Sequence, residues 1–119
     1  MGMPVLGPDV NESQYQFSVN KNGEIRFGLG AVKGVGEAAV DSIVSERNKN
    51  GAYKNIYDFV KRVNLRSANK KTFESLTYSG AFDSFGLTRG TYLTKDKDEI
   101  TFMDMLLKWG ARHQESKLL

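Results

Sequence analysis

The sequence predicts a mainly α-helical protein, a tandem helix-hairpin-helix bundle with a small β-hairpin near its N-terminus. Apolar residues recur at intervals of three and four over most of the chain, which indicates amphipathic helices. Asn22-Gly23 separates two short alternating segments and predicts a tight hairpin. Gly34-Val35-Gly36 separates two helical patterns and predicts a sharp interhelical turn.

Composition sets loose bounds on function. The 119 residues suffice for one small domain or for a piece of a longer protein. Without cysteine the chain has neither disulfides nor thiolate metal ligands, and we find no bilayer-spanning run or signal peptide, so we expect a cytoplasmic protein with no membrane partner. The net charge of +3 permits nucleic-acid binding without requiring it. Met1-Gly2-Met3 resembles an expression start, and with the charged final stretch it suggests an excised fragment.

The N-terminal quarter is expected to hold the hairpin. Residues 4–14 contain turn formers without periodicity, which predicts an extended or irregular lead-in. Tyr15, Phe17 and Val19 alternate with polar residues and predict a half-buried strand, which Ile25–Phe27 follows as a second strand.

The first helical pair surrounds the glycine turn. We expect one or two helical turns after Gly28, and then a longer helix from Gly36 to about Asn48 that Gly51 ends. The residues predicted to form its core face are Ala39, Val40, Ile43 and Val44.

The second helical pair begins at Asn55, which can cap a helix with Asp58 as the reciprocal acid. The next helix is expected over Asn69–Ser79 with Gly80 as its C-cap. The residues predicted to face the core are Ile56, Phe59, Val60, Val63, Phe73 and Leu76.

The C-terminal part is expected to be helical. Thr88 can cap a short helix that ends at Leu93, and Lys95–Glu99 forms a solvated junction whose acids resemble a helix N-terminal cap. The apolar arc of the last helix is wide enough that part of it should stay exposed. The expected domain organisation is a lead-in and hairpin over 1–27, a tandem helix-hairpin-helix over 28–86 and a helical extension over 87–119.

The glycine turn is the feature that predicts chemistry. The glycines let the backbone turn sharply, Val35 fills the gap between the helices, and backbone amides at the start of the second helix stay free. Free amides and the positive end of the helix dipole form an anion site suited to a DNA phosphate. Lys33 adds a positive charge next to this site, whereas the negative charge of Glu37 repels a phosphate there. We expect valine at Gly34 or Gly36 to weaken both folding and DNA contact. The plain alternative is a tight interhelical turn without a ligand.

A basic cluster surrounds the connection between the second pair of helices. Arg66, Lys70 and Lys71 flank a helix start, which indicates either a second phosphate-contacting surface or an ordinary solvated helix end. The predicted DNA-binding residues are therefore Lys33, Gly34, Val35, Gly36, Arg66, Lys70 and Lys71. Such contacts hold the DNA backbone and carry no base information, so binding should be independent of sequence and sensitive to salt.

No residue pattern indicates catalysis. His113 is the single histidine and has no partner for metal binding or general base chemistry, and the acids Asp96, Asp98 and Glu99 alternate with lysines. We therefore expect no active site, no metal and no cofactor.

Taken together, these residues resemble a segment of the alpha subunit of DNA polymerase III, the bacterial replicative polymerase of family C. Four blocks carry the resemblance, namely Val5–Ser13, Ile25–Glu37, Tyr57–Phe59 with Arg62-Val63, and Asn69–Asp83. Some details are also similar to sequences of the Bacteroidetes group. Gly7 departs from the family pattern, which usually has a second proline there, and Thr88–Leu119 matches loosely.

The resemblance implies a position behind the fingers, where a tandem helix-hairpin-helix region contacts the primer–template duplex and lies next to the sliding clamp. It also implies that the acids of the polymerase palm lie outside this segment, so the segment itself does not polymerise. The clamp-binding motif is not visible, because Gln114–Leu119 has no aromatic residue. Two other hypotheses remain: a purely structural or protein-interaction module that links the fingers to the clamp-binding region, and a stand-alone repair factor or nuclease subunit.

Overall fold

The structure, a computed structural model, describes residues 4–117, and side chains up to Gln114. The suggested expression start Met1–Met3 lies outside the described residues, as do Leu118 and Leu119. The described residues form five α-helices, which are α1 (Glu37–Asn50), α2 (Ile56–Arg62), α3 (Lys70–Ser79), α4 (Arg89–Leu93) and α5 (Phe102–Lys117). They also form three strands, which are β1 (Val5–Leu6), β2 (Ser18–Val19) and β3 (Ile25–Arg26). The expected mainly α-helical class with a small N-terminal hairpin is confirmed.

The small sheet has the order β1-β3-β2. The Asn-Gly hairpin is confirmed, because β2 and β3 pair antiparallel with Val19 opposite Ile25, and Gly23 makes the turn with a φ of +77°. The lead-in is extended at its start, where Val5 and Leu6 pair with β3 in parallel. This pairing joins residues distant in sequence, so no local pattern announces it.

The prediction that Tyr15, Phe17 and Val19 form a half-buried strand is wrong. Only Ser18 and Val19 pair as a strand, and Tyr15, Phe17 and Val19 are 46%, 68% and 57% exposed. Alternation identifies residues that share one face of a strand, but another element must cover that face before it is buried. In the described structure this face of the sheet stays open.

The segment before the glycine turn is shorter than the helical pattern suggested. It forms one 3₁₀ turn, Leu29–Ala31. The amide of Leu29 donates to the Gln14 carbonyl at 2.9 Å, and the amide of Gly30 donates to the Tyr15 carbonyl at 2.9 Å. These bonds tie the segment to the preceding chain, and the turn ends at Val32, whose backbone is extended.

Side-chain caps delimit the helices much as expected. Asn55 accepts the amide of Asp58 at 2.8 Å, although the Asp58 carboxylate accepts from Lys54 rather than from Asn55 itself. Gly51 and Gly80 end α1 and α3 with φ values of 90° and 87°.

The last helix begins differently from the expectation. The acids of the 95–99 junction do not cap α5, which starts instead with reciprocal bonds between Thr101 and Asp104. Asp96 closes the junction as a turn, because its carboxylate accepts the amides of Asp98 and Ile100.

The helices share one hydrophobic core centred on the aromatic ring of Phe59. This ring lies edge-on to Tyr53, Phe73 and Phe82 with centroid distances of 4.8, 5.5 and 5.1 Å. The residues predicted to face the core from α2 and α3 are all buried. No helix in the described range is both long and apolar enough to cross a membrane.

Helix α5 packs against α2 at a position that requires a small residue. A β-carbon on Gly110 would lie 2.9 Å from the Val60 carbonyl oxygen. The Gln114 amide donates to the Val60 and Val63 carbonyls at 2.9 and 2.7 Å and so closes the C-terminal end of α2. Met105 and Trp109 on the outer side of α5 are 57% and 42% exposed, as expected from the wide apolar arc.

A buried arginine fastens the N-terminal segment to the helices. Arg47 on α1 is 8% exposed and donates to the carbonyls of Val10 and Ser13 at 2.9 and 2.8 Å. The Ser13 hydroxyl donates in turn to the Phe27 carbonyl at 2.6 Å. This chain of bonds links α1 to the end of β3, just before the glycine turn.

Replacing Arg47 with methionine should loosen this attachment. The change keeps the apolar stem but leaves two carbonyls without their donor, so we expect the free energy of unfolding to fall by about 1–3 kcal/mol. Urea denaturation measures the loss, and hydrogen exchange should show faster exchange at Val10 and Ser13. Lys49→Met on the exposed side of the same helix is the matched control, and an equal loss in both variants would contradict the role of Arg47.

Candidate nucleic-acid interface

The glycine turn lies at the surface between the 3₁₀ turn and α1. Gly34 has a φ of +94°, a conformation that residues with a β-carbon rarely adopt, and Lys33, Gly34 and Gly36 are exposed. Val35 is half-buried, packs against the core and donates its amide to the Val32 carbonyl at 3.2 Å. Val35 therefore anchors the turn while the residues on either side face outward.

Helix α1 starts without a cap. Gly36 occupies the N-cap position and provides no side-chain hydrogen bond to the first turn. Among residues 4–117, the amides of Gly36, Glu37 and Ala38 have no protein acceptor. These donors and the positive end of the helix dipole favour an anion.

The start of α1 differs from the starts of the other described helices. In each of those, the side chain of the residue before the helix accepts an amide of the first turn; these residues are Asn55, Asn69, Thr88 and Thr101. An internal acceptor of this kind occupies the site that an external anion would use. The first hairpin is therefore more open to an anion than the second, whose helix α3 is capped by Asn69.

Helix α3 lies directly against the turn. A β-carbon on Gly34 would lie 2.5 Å from the Ser75 hydroxyl oxygen and 4.0 Å from Cε of Lys71. The absence of a side chain at Gly34 thus lets α3 approach the turn. The consequence is that Lys71, predicted as part of a second surface, lies beside the first hairpin.

The predicted basic residues are placed differently from one another. Lys33 and Lys71 are exposed and form no ion pair among the described residues. Lys70 contacts Asp104 of α5 through its ammonium group at 2.8 Å, and this hydrogen bond raises the pKa of Lys70 and lowers the pKa of Asp104. Arg66 is exposed in the connection before α3, where its amide donates to Asn64.

Sequence reasoning missed Ser75 as a neighbour of the turn. Lys71, Ser75 and Tyr78 have the spacing i, i+4 and i+7, which places them along one face of α3. The adjacent face carries the buried Phe73 and Leu76. The spacing is visible in the sequence, but the position of this face against residue 34 depends on tertiary packing.

His113 and the acidic side chains were the remaining candidates for a functional group. The ring of His113 stacks on Trp109 with a centroid distance of 5.7 Å. In the described part of the chain, no three His, Asp or Glu side chains form a group that could hold a metal ion.

The two glycines of the turn should respond differently to alanine. Gly34→Ala combines a φ of +94° with a 2.5 Å approach to Ser75, so we expect the free energy of unfolding to fall by about 1–3 kcal/mol. Gly36 has a φ of −78° and no atom within 4 Å of the position that a β-carbon would occupy. Gly36→Ala should therefore change the free energy of unfolding by less than about 1 kcal/mol. Urea denaturation of both variants checks this, and equal losses would contradict the distinction. Both Gly34 and Gly36 were expected to need a backbone conformation that only glycine adopts easily, and of the two only Gly34 has such a conformation.

Comparisons with known proteins identify the family of this chain. A family model described as the helix-hairpin-helix motif matches residues 2–92. Curated relatives named DNA polymerase III subunit alpha include those of Haemophilus influenzae, 43% identical over 114 residues, and of Escherichia coli K12, 38% identical over 108. The alignments cover 96% and 91% of this chain, but 10% and 9% of the two relatives. That of Chlamydia muridarum is 53% identical over 85 residues, 71% of this chain and 7% of the relative.

The chain thus spans about a tenth of the length of the first two relatives. The resemblance to the alpha subunit of DNA polymerase III is confirmed, whereas a Bacteroidetes origin has no support in these matches. The turn at Gly34–Gly36 and the connection before α3 both lie inside the matched range. The chain belongs to the helix-hairpin-helix family.

Proposed function

We propose that this chain is a non-catalytic, DNA-binding segment of a DNA polymerase III alpha subunit that holds the backbone of duplex primer–template DNA. The observation that carries the proposal is the uncapped start of α1, which directly follows a turn that contains Lys33 and that Lys71 approaches at Gly34. One DNA phosphate at this position would accept hydrogen bonds from the free amides of α1. It would also lie close to the ammonium groups of Lys33 and Lys71, which have no ion-pair partner among the described residues.

Binding through this surface should not depend on base sequence. Backbone amides and lysines contact phosphates, which are the same at every step of the duplex. Glu37 lies exposed in the first turn of α1, where its charge opposes a phosphate. The proposed contact is therefore one of several that the intact polymerase would make, and its affinity depends strongly on salt.

The rest of the polymerase chain completes the proposal. The alpha subunit would supply the polymerase acids from its palm, outside this segment, and would act on DNA in the cytoplasm. The sliding clamp would lie nearby, although Gln114 is not free for a clamp peptide because its amide holds the end of α2.

A second candidate function is a scaffold that only links neighbouring parts of the polymerase. The exposed apolar side of α5 favours it, because Ile100, Met105 and Trp109 line a groove of about 470 Å³. A scaffold predicts no salt-sensitive affinity for duplex DNA. The two functions can also coexist on different sides of the chain.

A salt titration with duplex DNA tests the proposal. In fluorescence anisotropy, the logarithm of the binding constant should fall linearly with the logarithm of the salt concentration, on duplexes of any sequence. Lys33→Ala and Lys71→Ala should each leave the fold intact and reduce the magnitude of the slope by about 1.

The neighbouring lysine provides the matched control. Lys70→Gln combined with Asp104→Asn removes an ion pair without changing the net charge, so it should leave the slope nearly unchanged. A slope that Lys33→Ala and Lys71→Ala do not alter would refute the proposed surface. Absence of salt-sensitive binding in both this chain and the intact subunit would leave the scaffold.

A further inference from the structure

A groove lies beside the glycine turn, between the 3₁₀ turn and α3. Its volume is about 640 Å³, within the range of about 300–1,000 Å³ that is typical of ligand pockets. Phe27 and Lys33 line one side, and Ser75 and Tyr78 line the other. Among the residues that line this groove, the proposed phosphate contact uses only Lys33.

Two aromatic rings border the groove and remain accessible. Phe27 is 47% exposed and Tyr78 is 65% exposed. Hydrogen bonds fix the backbone that carries both rings. The Phe27 carbonyl accepts from the Ser13 hydroxyl, and Gly80 caps the end of α3, whose last turn carries Tyr78. Accessible rings on rigid elements suit stacking, since little conformational freedom is lost when a flat ligand binds.

The charges at one end of the groove are positive. Lys33 lines the groove, and Lys71 lies on the same face of α3 as Ser75 and Tyr78. The free amides at the start of α1 lie at this same end, next to Gly34. A ligand that fits this arrangement is flat and apolar at one end and anionic at the other.

We propose that the groove accepts an unpaired nucleobase of a DNA strand whose adjoining phosphate lies at the glycine turn. The inference rests on the proposed function and adds a site for single-stranded DNA next to the duplex. Stacking between bases and aromatic side chains tolerates every base, because each has a flat π face. A nucleotide matches both the rings and the cationic end, whereas an apolar peptide would leave Lys33 and Lys71 without a counter-charge.

The test compares two duplexes that have the same number of phosphates, one blunt and one with a short single-stranded thymine overhang. A 2-aminopurine placed as the first unpaired base reports stacking through quenching of its fluorescence. We expect this chain to bind the overhang duplex about tenfold more tightly and to quench the probe. Tyr78→Ala should abolish both effects, and Tyr78→Phe should retain them because the ring is kept.

Tyr57→Ala is the control, since Tyr57 is a 47% exposed aromatic residue that does not line the groove. It should preserve the overhang preference, with circular dichroism confirming that each variant is folded. Salt-sensitive binding of both duplexes without an overhang preference, or a preference that survives Tyr78→Ala, would overturn the groove assignment and leave the proposed function standing. No salt-sensitive binding of either duplex, by this chain or by the intact subunit, would overturn both proposals. Binding of an apolar peptide in place of the overhang would identify the groove as a protein-docking site instead.

Discussion

The close approach of α3 to Gly34 is the constraint on which the candidate site depends. With φ at +94° and Ser75 Oγ only 2.5 Å from the position of a β-carbon, this residue has neither the conformation nor the space for a side chain. The contact joins the first hairpin to the helix of the second. It brings Lys71 next to Gly34, two residues before Gly36 at the uncapped start of α1, so that two segments distant in sequence lie side by side.

The use of helix caps reinforces this arrangement. Residues such as Asn55 and Asn69 satisfy the first amides of their helices, which stabilises each helix by about 1 kcal/mol relative to alanine. Helix α1 has Gly36 at its N-cap and lacks that contribution, but its attachment through Arg47 and the burial of Ile43 hold it in place. Packing thus compensates for an end that remains available to an external acceptor.

Local signals predicted most of the elements, and long-range contacts account for the rest. The periodic apolar residues and the caps at Asn55 and Thr88 locate α1 to α4 because they act within a few residues. The pairing of β1 with β3 and the approach of Ser75 to the turn could not be predicted, since they depend on how distant segments pack. The exposure of Phe17 was missed for a related reason: alternation does not say whether anything covers a strand face. The division of the chain into three parts stays a prediction.

The two lysines at the start of α3 show why a basic sequence cluster is an incomplete guide to a binding surface. Consecutive helical residues point about 100° apart, so Lys70 reaches Asp104 on α5 while Lys71 lies beside Gly34. The first charge is already balanced within the fold, whereas the second has no acidic partner in the described structure. A net charge of +3 is modest, but what attracts a phosphate is the unbalanced charge next to free amides. On this basis Lys33 and Lys71 form the electrostatic centre of the proposed interface, whereas the charge of Lys70 is paired with Asp104 on α5.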